Sequence, residues 1–356
     1  LVRLKHGIGV AGTHGKTTTS SMLSSVLWSC GVNPTSIIGG KVLNFGSNAR
    51  QGEGDYIVFE ADESDGTFLN LFPTIAIVTN IDADHLDYYK FFEGLKDAFL
   101  HYVNNVPFYG YAVLCYDDPA VQSILPQIER PFYTYGFSRD ADFTASNVRF
   151  EDGLTCYDCY HKGEFLGEIK LKLLGRHNVT NSLAVVAVAW EMEIPFVDIA
   201  RGLLEFDGVG RRLEIVGEIN VVTVIYDYGH HPTEIAATLS AVKTLGRRVV
   251  TVFQPHRYTR TQLLWEDFGK SFPDTDILYL SKIYPASESP IEGVDSSLIA
   301  DSYSRHTGKH AEIVDLFEDI PGKIADIVQE GDVVLTLGAG DIYKCGKDIL
   351  EAIGKG

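Results

Sequence analysis

A chain of 356 residues, 45% hydrophobic and 22% charged, is long enough for two or three domains with full cores. Its net charge of −18 argues against a broad nucleic-acid surface, because a phosphate backbone demands clustered Lys and Arg. No stretch approaches the roughly 20 apolar residues of a membrane helix, and five cysteines (Cys30, Cys115, Cys156, Cys159, Cys345) are too few and odd in number for a disulfide framework, which fits a reducing, cytoplasmic compartment.

Without an initiator Met or a signal peptide, the chain enters an apolar strand at residues 7–11, and a preceding segment is expected. The strand runs into Gly12-Thr13-His14-Gly15-Lys16-Thr17-Thr18-Thr19 and then a helix over 20–28, which is the setting of a phosphate loop. Glycines let backbone N–H groups face phosphates, Lys16 can neutralise the β and γ groups, and the Thr17 hydroxyl can ligate magnesium. The strict pattern G-x-x-x-x-G-K-[ST] fails at Val10, with the glycine at Gly12 instead. A plain strand-to-helix turn is the alternative.

Strands at 56–60 and 74–79 end in acidic runs, Glu60-Ala61-Asp62-Glu63-Ser64-Asp65 and Thr79-Asn80-Ile81-Asp82-Ala83-Asp84-His85. Parallel strands put these ends beside the phosphate loop, where Glu60, Asp84 and His85 suit one or two divalent ions. Acidic strand ends also cap following helices, which is the competing explanation. A strand follows at 111–115. Hairpins are expected between 143 and 174, where Cys156 and Cys159 form a lone C-x-x-C with little claim to metal or redox chemistry. Residues 178–190 read as a buried helix and 196–205 as a second.

Gly208-Val209-Gly210 reads as a hinge between a first domain, 1–209, and a second, 210–356. Arg211-Arg212 follows it, either a guanidinium pair for an anion or a solvated basic pair. Strands at 221–226, 248–253, 276–280 and 332–337, with helices such as 232–245 between them, predict an open doubly wound sheet that binds ligands beyond its strands' carboxyl ends. Two polar runs stand at such ends: Asp227-Tyr228-Gly229-His230-His231-Pro232-Thr233-Glu234 and Gln254-Pro255-His256-Arg257-Tyr258-Thr259-Arg260-Thr261. Arg257 and Arg260 beside His256 look like a carboxylate clamp. Gly338-Ala339-Gly340-Asp341 reads as a packing turn.

In this order, together with Gly175-Arg176-His177-Asn178 and Gly210-Arg211-Arg212, these motifs resemble the Mur ligase family over nearly the whole chain. The resemblance implies an α/β protein: a central P-loop ATPase-like α/β domain with a mainly parallel sheet, followed by a C-terminal Rossmann-like doubly wound domain. It implies ATP and Mg2+ as cofactors. Lys16 and Thr17 would meet the triphosphate and first magnesium, with Gly12, Thr13, His14, Gly15 and Thr18 completing the loop. Glu60 and His85 would bind metal, Asn178 and Asn181 adenine, Asp227 the ribose and Arg212 the phosphates. Tyr228, His230, His256, Arg257 and Arg260 would surround L-alanine and the transferring acyl group. Catalysis would fall to Lys16, Glu60, His85, His230, Arg257 and Arg260.

The implied reaction joins L-alanine to the lactyl carboxylate of UDP-N-acetylmuramate through an acyl phosphate, in peptidoglycan precursor synthesis. Where the family usually shows Asp-Asp-Tyr-Gly-His-His, the first aspartate is Tyr226 here. The family's uridine-binding N-terminal domain has no counterpart in this sequence, so uridine recognition is expected to lie outside it. A murein tripeptide recycling ligase and a non-catalytic ATP-binding module or nucleotide switch are the rival readings.

Overall fold

The computed structural model describes residues 5–84 and 86–355. It divides into two compact units, one ending at Gly210 and the other starting at Arg211. The first contains β1 (His6–Ala11), α1 (Lys16–Ser29), β2 (Thr35–Val42), β3 (Ser47–Arg50), β4 (Tyr56–Glu60), β5 (Ile75–Val78), α2 (Leu86–Tyr89), α3 (Phe92–Asn104), β6 (Tyr111–Cys115) and α4 (Pro119–Ile124). It continues through β7 (Phe132–Gly136), β8 (Phe143–Glu151), β9 (Leu154–His161), β10 (Glu164–Leu171), α5 (Arg176–Glu191) and α6 (Phe196–Glu205).

These strands form one ten-stranded sheet in the order β10-β9-β8-β7-β6-β5-β1-β4-β2-β3. Pairing is parallel from β2 through β4, β1, β5, β6 and β7 to β8, and antiparallel at β2/β3, β8/β9 and β9/β10. The central strands are apolar on both faces because each face has its own core. On one, Met22, Leu23 and Val26 of α1 and Leu183 to Ala189 of α5 pack with Val10, Ile77 and Val113. On the other, Leu95, Phe99 and Tyr102 of α3 pack with Ile57, Ala76 and Leu114.

Two departures from the sequence expectation bear on the site. The helix after the phosphate loop begins at Lys16 rather than at residue 20. The strand pair β2/β3, which carries Gly39 and Gly40 in β2, is not among the strands read from the sequence. The glycines are there for space: a Cβ on Gly39 would lie 2.9 Å from Glu60 Oε2, and one on Gly40 2.8 Å from Thr17 Cγ2. Residues 208–210 are fastened to β2, with Leu43 N donating to Gly208 O (3.1 Å) and Gly210 N to Lys41 O (2.9 Å).

The second unit contains β11 (Glu214–Ile219), β12 (Val222–Asp227), α7 (Pro232–Lys243), β13 (Val249–Phe253), α8 (Tyr258–Lys270), β14 (Ile277–Ser281), α9 (Ser297–Thr307), β15 (Ala311–Val314), α10 (Ile320–Ile327), β16 (Val333–Leu337) and α11 (Cys345–Ile353). Its six-stranded sheet has the order β11-β12-β16-β13-β14-β15, with only β11 antiparallel. Leu239 of α7, Phe268 of α8 and Tyr303 of α9 pack on one face, and Ile324 of α10 and Ile349 of α11 on the other, so the sheet is doubly wound. β11 escaped the sequence reading because the turn joining it to β12 is Asn220-Val221, with φ of 48° and 62°. A β-branched residue rarely adopts that conformation, so Val221 reads as strand.

Cys156 and Cys159 lie in β9, and burial pushes both thiols up, Cys159 to about 12. Neither has the thiolate character that redox or metal chemistry requires. Among the described residues no helix is long and apolar enough to cross a membrane.

Close packing of α8 on α9 depends on Gly269, where a Cβ would run into Ser302. The variant Gly269→Ala is expected to lower stability by about 1–3 kcal/mol, read as a shift in urea midpoint at unchanged slope.

Candidate functional site

β1, β4 and β5 are adjacent and parallel, so their carboxyl ends open on one edge, where the chain leaves β1 into the phosphate loop. The loop's shape is fixed from outside. Thr13 N donates to Asn80 O (3.2 Å) and His14 N to Asn80 Oδ1 (2.8 Å), while Thr79 Oγ1 and Asn80 Nδ2 both donate to His14 O (2.6 and 2.9 Å). Asp82 N donates to Thr13 Oγ1 (2.9 Å), and Asp82 Oδ2 lies 3.0 Å from His14 Nε2. Gly12 is required because a Cβ there would strike Thr79 Oγ1, which explains a glycine at 12 rather than at 10, where Val10 belongs to the buried strand. Gly15 turns the loop into α1 at φ 84°, a left-handed conformation that favours glycine.

Lys16 folds back over this loop, donating to Gly12 O (2.6 Å), Thr13 O (3.3 Å) and both carboxylate oxygens of Glu63 (3.0 and 2.8 Å). Thr17 Oγ1 donates to Glu60 Oε2 (3.1 Å), and Glu60 Oε1 accepts from Gly39 N (2.6 Å). Hydroxyl and carboxylate oxygens meeting at a helix start suit a hard cation such as magnesium. His85 lies outside the described residues, and Asp84 makes a backbone hydrogen bond to Asp82 O (2.8 Å). Asn181 reaches the loop from α5: its Oδ1 would be 2.8 Å from a Cβ on Gly15. Asn178 shares that helix start, accepting from Asn181 Nδ2 (3.3 Å) and donating to Leu174 O (2.8 Å). Thr18 is buried in the first turn of α1.

In the second unit, the ends of β12, β13 and β16 bring the two polar runs together. Asp227 is buried, and its carboxylate accepts from Leu213 N (2.8 Å), Gly229 N (2.7 Å) and Thr238 Oγ1 (3.3 Å), so both its oxygens organise the turn after β12. Glu234 joins Arg212 (3.3 Å) to the backbone N–H of His230 (3.0 Å). The Arg212 guanidinium also lies 5.4 Å from the Tyr228 ring centroid. His230 and His256 rings are 5.6 Å apart, His256 stacks on Tyr284 at 5.6 Å, and Arg260 Nη1 lies 3.4 Å from His256 Nδ1.

Arg257 is exposed and sits at φ 71°, ψ 137°, a region costly for a residue with a side chain. It is locked there by its N–H donating to Tyr284 O (2.8 Å) and by Thr261, whose N and Oγ1 donate to Arg257 O. Such strain persists where the surroundings over-determine it, often at ligand clamps. Tyr226, in place of the family's aspartate, is buried and donates to Gly338 O (3.0 Å), so it braces the 338–341 turn. Gln254 braces the same turn, donating to Asp341 Oδ1 (2.8 Å) and accepting from Ile342 N (3.1 Å), in keeping with a packing role.

Glu63 and Glu234 were missed as individual site residues. Both fall within the polar runs read from sequence, but their spacing gives no sign that they face Lys16 and Arg212. Only the turns after β4 and β12 aim them.

Residues 10–189 match the Mur ligase middle domain, and residues 211–340 the Mur ligase glutamate ligase domain. A UDP-N-acetylmuramate–L-alanine ligase of Geotalea daltonii is 51% identical over 354 residues, covering 99% of this chain and 77% of that protein. The crystal structure of the UDP-N-acetylmuramate-alanine ligase of Thermotoga maritima superposes with a TM-score of 0.81 at 28% identity, over 99% of this chain and 76% of that one. The MurF ligase of Thermotoga maritima, solved with ADP, shares the fold with a TM-score of 0.78 at 20% identity, over 99% of this chain and 80% of that one.

Burial and the neighbouring arginines hold the His230 and His256 imidazoles down to about 4, against 6.5 for a free histidine. Between these values the unfolded chain binds protons that the folded unit refuses, so stability falls as pH drops from 6.5 towards 4. A urea series across that range is expected to show the fall, and His256→Gln to flatten it. NMR titration should find both imidazoles neutral at pH 6.

Proposed function

The chain belongs to the Mur ligase family, and from that premise we propose that it joins L-alanine to the lactyl carboxylate of UDP-N-acetylmuramate at the expense of ATP. Half of its residues match a relative named for that reaction across almost its whole length. The observation that carries the reading is the meeting of Lys16, Thr17 and Glu60 at one strand edge, where the loop of residues 12–15 opens into α1. Such a loop takes the phosphates of a nucleotide.

ATP would lie with its phosphates along residues 12–18 and Lys16 against the β and γ groups. Thr17 and Glu60 would hold magnesium, which when bound neutralises phosphate charge. Asn178 and Asn181 stand where α5 meets the loop and would take the adenine. The lactyl carboxylate attacks the γ-phosphorus in line, releasing ADP and forming an acyl phosphate. The alanine amine then attacks the acyl carbon, and inorganic phosphate leaves.

Little covalent chemistry is asked of the protein in the first step, so charge placement and orientation carry the rate. Arg257 and Arg260 would grip the alanine carboxylate, with Tyr228, His230 and His256 around it. A histidine with a pKa near 4 is neutral at physiological pH and can accept a hydrogen bond from an amine without repelling it. The free cysteines and the absence, among the described residues, of a membrane-crossing helix support a cytoplasmic setting.

Phosphate release with ATP, magnesium and UDP-N-acetylmuramate is expected to require L-alanine. Turnover that ignores L-alanine and requires murein tripeptide would favour the recycling reaction instead. Arg257→Ala and Arg260→Ala should each slow ligation about a hundredfold while leaving ATP binding intact. Undiminished ligation in both would remove the arginines from the site.

A further inference from the structure

Lys16 is engaged by its own chain. A lysine ammonium has three N–H donors, and here they face four acceptors: the carbonyls of Gly12 and Thr13 and the two oxygens of Glu63. The carbonyls are neutral and belong to the loop. The two carboxylate oxygens are anionic and come from the turn after β4, so the ion pair ties one strand end to another.

The pair is deeply set. The Glu63 side chain is 0% exposed and that of Lys16 13%. Tyr89 at the end of α2 donates its hydroxyl to Glu63 O (2.6 Å), which fixes the backbone carrying the carboxylate. A β- or γ-phosphate oxygen reaching Lys16 therefore competes with an anionic acceptor that is already buried against it. One anion replaces another at the same ammonium.

We infer that Glu63 is a positioning residue that holds Lys16 folded across the phosphate loop and competes for it with the β- and γ-phosphates of the nucleotide. This rests on the nucleotide-binding reading of the loop. The competition has two consequences. Lys16 is held aimed along the loop, and a ligand without β- and γ-phosphates cannot draw it away. The ion pair thus weakens the binding of nucleotides that carry β- and γ-phosphates and leaves that of a monophosphate unaffected.

The test is calorimetric titration of the 356-residue protein with magnesium and the non-hydrolysable analogue AMP-PNP, with AMP as the control ligand. Glu63→Gln keeps the shape and removes the charge, and Gly12 O and Thr13 O still orient Lys16. It is expected to bind AMP-PNP about tenfold more tightly than the unmodified protein, with AMP affinity unchanged. Glu63→Asp shortens the reach and weakens the pair, so its affinity should fall between the two, and it carries the test alone if Glu63→Gln does not fold. Equal or weaker AMP-PNP binding by the folded variants overturns the competition, as does an equal gain for AMP, which Lys16 does not reach. If the unmodified protein binds no AMP-PNP, the nucleotide reading falls and takes this inference with it. Binding of AMP-PNP that is the same in all three proteins removes the inference alone.

Discussion

The first unit depends on anchoring a loop that has no regular structure of its own. Residues 12–15 connect β1 to α1, and their backbone can face a ligand only if something else holds it. The side chains of Thr79 and Asn80 and the backbone of Asp82 do so from the end of β5, and Glu63 does so from the turn after β4 through Lys16. Parallel neighbours make this possible, because the carboxyl ends of β4, β1 and β5 converge on one edge. An antiparallel sheet would have sent alternate strand ends to the opposite edge.

The second unit uses the same architecture with a different emphasis. There the fixed groups are carboxylates. Asp227 spends its oxygens on the turn after β12, and Glu234 spans Arg212 and the backbone of His230. The imidazoles of His230 and His256 are partly buried beside arginines, which keeps them neutral, and the strained backbone of Arg257 is locked by Tyr284 and Thr261. Preorganisation of this kind places charge before a substrate arrives, which is what a reaction governed by orientation and electrostatics requires.

The global and local charges point in opposite directions. A net charge of −18 repels anions at long range, so an anionic substrate must be met by cations set among fixed partners. Lys16, Arg212 and Arg260 each have named neighbours within hydrogen-bonding or ion-pair distance, and Arg257 is held through its backbone. Placing the cations this way confines attraction to the sites that need it.

Much of this could be read without coordinates. The strands at 56–60 and 111–115 and the helix at 196–205 follow from apolar runs bounded by polar punctuation, and the site motifs follow from glycine, lysine and carboxylate chemistry at strand ends. What the sequence concealed has a common cause: residues whose identity is set by a distant neighbour. Gly39 and Gly40 stand inside β2 because they make room for Glu60 and Thr17, and Val221 looks like strand although it turns a hairpin. Gly12 departs from the usual spacing because Thr79 lies against it. Glu63 is one carboxylate among several in its run until the turn after β4 buries it against Lys16. Local periodicity and motif chemistry therefore determined the kind of site, and only the three-dimensional approach of separate strand ends decided which carboxylate faces the lysine.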